Sequence, residues 1–251
     1  MTRFLYDFDA AGEIDRGGAN QETDRLFAYH HATKHTFDSV RANAHFLDWR
    51  NQPNPFRAYE RAPLVSLPSE PGFPEAGAFA MMSALAENSA LARSGAPERR
   101  EEITLDATWL SRFLWHSMAI SAWKKVPRTE DRYSLRVNPS SGNLHPTETY
   151  LITQGFASVS DGYYHYRADR HALELRATGN RIGEIAHALD LPWAASAPLI
   201  VALTSIFWRE AWKYRDRAYR YCCHDLGHAM MSMLLAARAL GLQGGVVAHF
   251  A

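Results

Sequence analysis

The segment that most restricts the fold of this chain is an apolar stretch from about Tyr219 to Leu240. It predicts a long helix whose C-terminal half is apolar almost all round. Such a helix needs neighbours on several sides, so we expect it to lie in the middle of the molecule, ended by Gly241. Its most apolar part, from Ala229 to Leu242, is interrupted by Ser232 and Arg238 and is too short to span a bilayer.

The segments before this helix mix helical and strand-like patterns. Residues 1–25 are polar and predict a loose start, and residues 53–77 are rich in proline. Helices are predicted at 78–91, from a Thr104 cap through Ile120, and at 182–189 with Asn180 as cap. Strands are predicted at 149–153, 163–166, 173–176 and 198–204, the last one buried, and from Gly244 onward. This mixture predicts an α+β fold.

Composition limits the class of protein and its partners. The chain has 251 residues and is 47% hydrophobic, which suits one domain, predicted at 78–251, preceded by an arm and connector at 1–77. Lys+Arg 27 balance Asp+Glu 27, so the basic excess of a nucleic-acid or anionic-membrane binder is missing. The N-terminus resembles no secretory signal, and the two cysteines are adjacent, so we expect a cytoplasmic protein with reduced thiols.

A stretch of short polar residues, 138–148, stands between apolar segments. Pro139 and Pro146 fix the backbone at two points, and Gly142 permits a positive φ or a close approach to a ligand. Ser140, Ser141 and Asn143 offer donors and acceptors of hydrogen bonds. The pattern suits a flat cofactor with polar edges, and it equally suits a rigid turn that binds nothing.

A second group of candidate residues surrounds Lys213 and Tyr214. Four arginines follow or precede this pair closely in the sequence, at 209, 215, 217 and 220. If they converge in space, repulsion between like charges favours a neutral lysine amine, which can act as a base. The alternative is a solvated, charged helix face.

Histidines give a weaker metal hypothesis. His224 and His228 are four residues apart and could bind zinc from one helix face, but Asp225 stands where a zinc-protease helix has glutamate, and no third ligand is evident. We expect a buried, hydrogen-bonded His228 instead. The N-terminal histidines at 30, 31, 35 and 45 are expected to be solvated or to cap the core.

Three stretches of the sequence, in register, resemble one family. Residues 138–148 are similar to the flavin-contacting segment of SagB-type dehydrogenases, a branch of the FMN-dependent nitroreductase superfamily that includes azoline oxidases. Residues 212–221 with 225–229, and residues 29–34 with 47–53, resemble the same branch. The resemblance implies a nitroreductase-like fold, with a mixed or antiparallel sheet around a central buried helix, and FMN as cofactor.

The resemblance also implies roles for individual residues. It makes Lys213 and Tyr214 the catalytic pair, as in azole-forming relatives, where a proton and a hydride leave neighbouring ring carbons. The family's arginine pattern is missing near residue 93, so only Arg93 and Ser94 match the family's cofactor-binding residues there. The implied cofactor-binding residues are Arg93, Ser94, Arg136, Pro139, Ser140, Ser141, Gly142, Asn143, Gly244 and Gly245, and no metal site is implied.

Relatives continue past the segment similar to Gly245–Phe250, so this chain is expected to lack the C-terminal end of the family. The resemblance implies a homodimer, or completion by a second nitroreductase-like unit.

Three functional hypotheses follow. The first is an FMN oxidoreductase acting on a small organic molecule or a peptide azoline. The second is a non-catalytic, partner-binding half of a flavoprotein, and the third is a zinc hydrolase at His224 and His228.

Overall fold

A five-stranded sheet, in which every strand is antiparallel to its neighbours, forms the centre of the fold. The computed structural model describes residues 16–42, 46–69, 72 and 103–247. The strands are β1 (Leu64–Ser66), β2 (Ile120–Lys125), β3 (Arg132–Arg136), β4 (Thr147–Thr153), β5 (Gly162–Arg167), β6 (Ala172–Thr178) and β7 (Leu199–Ser205). The large sheet has the order β1-β6-β5-β4-β7, and β2 pairs with β3 in a separate hairpin.

Six α-helices of the described chain surround this sheet, and two of them contribute to its core. They are α1 (Arg16–Thr33), α2 (Phe37–Ala42), α3 (Ala107–Trp115), α4 (Ile182–Ala188), α5 (Phe207–Tyr214) and α6 (Ala218–Ala239). The core joins apolar residues of α3, such as Phe113, to Leu151 and Leu173 of the sheet and to Met233 of α6. None of the helices in the described ranges has the length and apolar character that a membrane span requires.

The α+β class is confirmed, and the long helix α6 was predicted almost to the residue. Its surroundings differ from the prediction, because its buried residues form one stripe that includes Cys222, Asp225, Ala229 and Met233. His228, expected to be buried, is exposed on the other side. Most residues of this stripe are small, which lets α6 lie close to the sheet. The larger apolar residues of α6 outside the stripe stay partly accessible within the described chain.

Several other boundaries differ from the sequence-based ones. Asp106, rather than Thr104, caps α3, because its carboxylate accepts a hydrogen bond from Trp109 N at 2.8 Å. The helix ends before Ile120, which starts β2. The segment expected to be loose forms α1 from Arg16 onward.

Towards the end of the chain, two predicted strands also differ. The strand expected from Gly244 is not formed within the described residues 242–247. Strand β7 formed at the predicted position, but it lies at an edge of the sheet and is only partly buried, so the prediction of a buried strand from its apolar run was wrong. The hairpin of β5 and β6 and the helix after Asn180 formed as predicted. The helix predicted at 78–91 lies outside the described residues.

A chain of buried charges crosses the sheet. Arg209 donates to Glu148, whose other oxygen lies 2.8 Å from His165 Nε2, while His165 Nδ1 lies 2.8 Å from Glu174. Burial alone would raise the pKa of Glu148, but hydrogen bonds from His165 and Arg209 hold it below its usual value. The pKa of Glu174 is likewise lowered, against the effect of burial, chiefly by Arg167. Each ring nitrogen of His165 therefore faces one carboxylate oxygen inside the sheet.

The described N-terminal segment crosses the surface of α5 and adds β1 to the sheet. Trp212 Nε1 donates to the carbonyl of Asp48 at 2.8 Å, and Arg209 Nε donates to the carbonyl of Asn54 at 2.9 Å. Leu175 N donates to the carbonyl of Pro63 at 2.9 Å. Residues of the predicted arm and connector therefore bind α5 through hydrogen bonds. The domain boundary predicted at residue 77 stays a prediction.

Candidate active site

The loop between β3 and β4 is held in an unusual backbone shape by a buried carboxylate. Gly142 has φ +60° and Asn143 φ +59°, in the left-handed region that glycine adopts without strain. Asp225 of α6, fully buried, accepts hydrogen bonds from Ser140 Oγ at 2.6 Å, from Ser141 N at 2.8 Å and from Ser141 Oγ at 2.8 Å. This one side chain fixes the loop to the long helix.

The other polar side chains of the loop also bind within the chain. Asn143 Nδ2 donates to the carbonyl of Ser134 at 2.8 Å, so its Oδ1 accepts from His145 Nε2 at 2.8 Å. Burial, followed by the charges of Arg136 and Arg209, lowers the pKa of His145 to about 3, which keeps the ring neutral. The side chains of Ser140, Ser141 and Asn143 thus shape the loop, and Gly142 is left exposed at its tip.

The structure brings the Lys213–Tyr214 pair to this tip. Both residues lie in the last turn of α5, after which Arg215, with φ +48°, turns the chain toward α6. A β-carbon added to Gly142 would lie 2.8 Å from Lys213 Nζ and 2.7 Å from Tyr214 Oη. Two motifs that are about 70 residues apart in the sequence therefore meet at the one residue without a side chain.

Acids, rather than the predicted arginines, surround this pair. Hydrogen bonds direct Arg209 to Glu148, and direct Arg217 and Arg220 to Thr33 of α1, so these three guanidinium groups do not converge on Lys213. The sequence-based convergence was wrong for them, because each has a partner far away in the sequence.

Tyr214 is half-buried beside these acids. Burial, together with the nearby Glu210, Tyr221 and Asp225, raises the pKa of Tyr214 to about 12. Its phenol therefore stays protonated at neutral pH and can donate a hydrogen bond. It is suited to orient a bound molecule rather than to remove a proton.

Glu210 and Asp225 were missed as site residues by the sequence analysis. Glu210 precedes Lys213 by three positions and Tyr214 by four, a spacing that places all three on one side of α5. That spacing was visible in the sequence, but nothing marked the glutamate as buried. Asp225 could not be found, because its partners are 84 and 85 residues away.

The remaining predicted site residues are placed as follows. Arg136 donates to the carbonyl of Pro55 at 2.7 Å, and burial lowers its pKa to about 10, so it remains charged. Pro139 is exposed beside the loop. The added β-carbon of Gly244 would meet Leu234 of α6, and that of Gly245 would meet nothing within 4 Å, so neither is brought to the tip at Gly142. Arg93 and Ser94 lie outside the described residues.

The zinc hypothesis has no support in the described part of the chain. His224 and His228 are both exposed, and the described ranges contain no group of three or more potential metal ligands. The zinc hypothesis therefore depended only on the spacing of these two histidines on one helix face.

Buried polar atoms without a partner among the described residues lie in and near the loop. They are Arg136 Nε, Asn138 Oδ1, His145 Nδ1, Thr147 Oγ1 and both carboxyl oxygens of Glu210. Buried groups of this kind are normally satisfied by a ligand, water or ion. Their donors and acceptors fit the polar edge of a flat cofactor.

Replacing the residue that fixes the loop gives a direct test of this geometry. In Asp225→Asn, an NH2 group replaces one carboxylate oxygen and faces the donors of Ser140 and Ser141. The three hydrogen bonds therefore cannot all be kept. We expect the free energy of unfolding to fall by about 2–4 kcal/mol, measured by denaturant titration. The exposed Asp131→Asn is the matched control and should change it by less than about 0.5 kcal/mol. Equal stability of the two variants would contradict the anchoring role.

Comparison with known proteins identifies the family of this chain. The sequence profile of the Nitroreductase family matches residues 97–251. The chain is 31% identical over 114 residues to the nitroreductase-type protein MJ1384 of Methanocaldococcus jannaschii, which covers 45% of this chain and 57% of that protein. It is 36% identical over 111 residues to the trifolitoxin-processing protein TfxB of Rhizobium leguminosarum bv. trifolii, covering 41% of this chain and 30% of TfxB.

A solved structure shows the same fold. A nitroreductase-type protein of Anabaena variabilis superposes with a TM-score of 0.63 and 27% identity, over 84% of this chain and 38% of the other. The chain thus spans little more than half, or less, of the length of these relatives. The family profile covers more than half of the present sequence, and on this basis the chain belongs to the nitroreductase family.

Proposed function

We propose that this protein is an FMN-dependent oxidoreductase of the SagB-type branch, which moves a hydride between the flavin and a small organic molecule or a peptide azoline. The observation that carries the proposal is the meeting of Lys213 Nζ and Tyr214 Oη at Gly142. An amine and a phenol donor stand side by side over the backbone of the loop. Membership of the nitroreductase family supports the redox class.

The residues that would hold FMN are those of the loop and its base. The missing side chain at Gly142 lets Lys213 and Tyr214 approach the loop, and the unpartnered Arg136 Nε and Thr147 Oγ1 could bond to polar atoms along the edge of a flat ring. A bound FMN would supply the centre that accepts or donates the hydride. We propose that the loop side chains act indirectly, by keeping Gly142 in its left-handed conformation.

The chain's own residues would manage the proton. In the dehydrogenating direction, Lys213 Nζ would take the proton that leaves a substrate carbon. Tyr214, protonated because of its raised pKa, donates a hydrogen bond that orients the substrate. In the reducing direction the same groups return the proton.

The substrate class and the partners are further parts of the proposal. TfxB, by its name, takes part in trifolitoxin processing, which supports a substrate that is modified during biosynthesis. Residues of α6 outside the buried stripe, such as Met231, are exposed and could be covered by a second copy or a second nitroreductase-like unit. We place the protein in the cytoplasm, without nucleic acid or membrane as partner.

A non-catalytic, partner-binding half is the second candidate. It is favoured by one observation, that the side chains of Ser140, Ser141 and Asn143 all bond within the chain. In that case the loop would be a structural turn. The two candidates differ in whether the protein binds flavin.

Titration with flavins tests the proposal. We expect equimolar FMN to bind with a change in its visible spectrum and FAD to bind weakly or not at all, because the sequence has no Gly-x-Gly-x-x-Gly fingerprint of a dinucleotide fold. The protein is titrated with each flavin at the same concentrations and followed by absorbance and fluorescence. Tight FAD binding without FMN binding would refute FMN as the cofactor. Binding of neither flavin would favour the non-catalytic, partner-binding half.

A further inference from the structure

A cavity lies on the side of α5 that is opposite to the proposed catalytic pair. Its volume is about 370 Å³, within the size range of pockets that bind small molecules. Trp208 and Trp212 line it and are four residues apart, so they share one face of the helix. Successive helical residues are rotated by about 100°, which places Lys213 and Tyr214 on the far side from Trp208. The cavity is therefore separate from the tip of the loop.

Aromatic residues form much of the wall of this cavity. Trp212 is only 9% exposed, because its Nε1 donates to the carbonyl of Asp48 at 2.8 Å and the ring of Trp49 packs edge-on against it, with centroids 5.5 Å apart. Trp208 and Phe46 also line the cavity, and they are 58% and 100% exposed. One fixed ring with two exposed rings nearby suits a ligand that has a flat apolar ring of its own.

Arg215 borders the same cavity in a strained backbone conformation. Its φ of +48° and ψ of −119° lie in a region that glycine favours and that a residue with a long side chain rarely adopts. Strain of this kind persists where the surrounding structure enforces it, and it clusters at ligand-binding sites. Arg215 is exposed, and its side chain has no hydrogen bond or ion pair with any residue in the described ranges. Its positive charge is therefore available to an anion from outside the chain.

The other charged residue at the cavity, Asp48, already has a hydrogen-bond donor. Asn51 Nδ2 donates to Asp48 Oδ2 at 2.6 Å, and no ion pair joins Asp48 to Arg215. A guanidinium group binds a carboxylate through two parallel hydrogen bonds, which an uncharged amide cannot reproduce. The chemistry of the cavity thus combines aromatic rings with one cation that lacks an anionic partner in the described chain.

We infer that this cavity is a second binding site, which takes an aromatic ring that carries or adjoins a carboxylate, with the ring against Trp208 and the carboxylate on Arg215. The inference goes beyond the proposed function and does not depend on it. Such a ligand has two sources: a free aromatic acid, or a peptide in which an acidic residue follows an aromatic one. The binding is non-covalent in both cases.

Paired acid and amide probes test this site on the purified full chain without flavin. The small probes are 3-phenylpropionate and 3-phenylpropionamide. The peptide probes are two blocked tetrapeptides, in which phenylalanine is followed by aspartate in one and by asparagine in the other. Ligand-observed NMR titration gives the Kd of each probe. We expect the acid of at least one pair to bind about five- to tenfold more tightly than its amide, as for a partly exposed, hydrogen-bonded charge pair.

Two substitutions separate the contributions of the charge and the ring. Arg215→Gln should abolish the preference for the acid, and Arg128→Gln is its matched control, because Arg128 is also exposed, with φ +66°, and lies outside the cavity. Trp208→Ala should weaken the binding of both members of a pair by about three- to tenfold. Trp193, which is 61% exposed and also outside the cavity, provides the matched Trp193→Ala.

A third variant shows that a lost preference does not come from unfolding. Glycine adopts the backbone conformation of Arg215 without strain, so Arg215→Gly should raise Tm by about 2–4 °C while it loses the preference for the acid. A preference that survives in Arg215→Gly or in Arg215→Gln would overturn the inference.

The probes also distinguish the two sources of the ligand. A preference shown by the peptide pair alone identifies a peptide ligand, and one shown by the small pair identifies a free aromatic acid. Equal affinity of acid and amide in both pairs, or the absence of saturable binding of every probe to the wild type, refutes the site. Failure of the proposed function is seen separately, as absence of flavin binding in the titration with FMN.

Discussion

Lys213→Ala is expected to lower kcat of the flavin-loaded protein by about 100- to 10,000-fold, the range typical for the loss of a general base. The residue is half-buried at the end of α5, and its Nζ lies at the tip of the loop, beside Gly142. Removal of the amine should leave the flavin in place, because the loop is anchored by Asp225, which accepts hydrogen bonds from Ser140 and Ser141. The measurement is steady-state turnover together with the bound flavin per chain.

Lys124→Ala is the matched control, since this lysine is exposed on β2, outside the loop and α5. It should retain wild-type turnover and flavin content. Retained turnover in Lys213→Ala would remove the base from the proposed mechanism. Loss of the flavin in the same variant would mean that Lys213 binds the cofactor instead of handling the proton.

Gly142→Ala is the second change with a large expected effect, and Gly155→Ala is its matched control. Both glycines have positive φ, +60° and +71°, so an alanine at either position carries a similar backbone cost of about 1–2 kcal/mol. They differ in what the new methyl group meets. At Gly155 it meets nothing within 4 Å, whereas at Gly142 it meets Tyr214 Oη at 2.7 Å and Lys213 Nζ at 2.8 Å.

The methyl group at 142 must therefore displace the ends of two flexible side chains. The fold can accommodate this, but a displacement of about 1 Å at a reacting group costs about 100-fold in rate. We expect the two variants to have similar free energies of unfolding, and only Gly142→Ala to lose turnover and to weaken FMN binding. Denaturant titration, flavin titration and turnover measure the three effects. Equal turnover in both variants would show that the loop tip is not part of the site.

The sequence predicted what depends on local pattern. The helix α6, the hairpin of β5 and β6, and the helix after Asn180 follow from residue spacing and turn residues that are close in the chain. The loop at 138–148 could be recognised from its prolines, serines and glycine. Its left-handed Gly142 was anticipated because glycine alone adopts that conformation without strain.

The sequence could not show which distant residues meet. The arginine at 209 was read as part of a cationic group around Lys213, yet it pairs with Glu148, which is 61 residues away. Likewise, the polar side chains of the loop were expected to face a cofactor, whereas Asp225 accepts the hydrogen bonds of Ser140 and Ser141. The local sequence around a charged or polar residue does not indicate its partner, because such side chains form hydrogen bonds with residues far away in the chain.

The segment that crosses α5 bears on how this protein reaches its native state. Asp48 and Trp212 are separated by 164 residues, and Asn54 and Arg209 by 155, yet each pair forms a hydrogen bond at the base of the proposed site. Contacts between residues so far apart close large loops, which slows folding. On the ribosome, the early segment must wait for α5 to be synthesised before it has a surface to bind. Until then its aromatic residues are exposed to chaperones and to aggregation, and expression at lower temperature should raise the yield of folded protein.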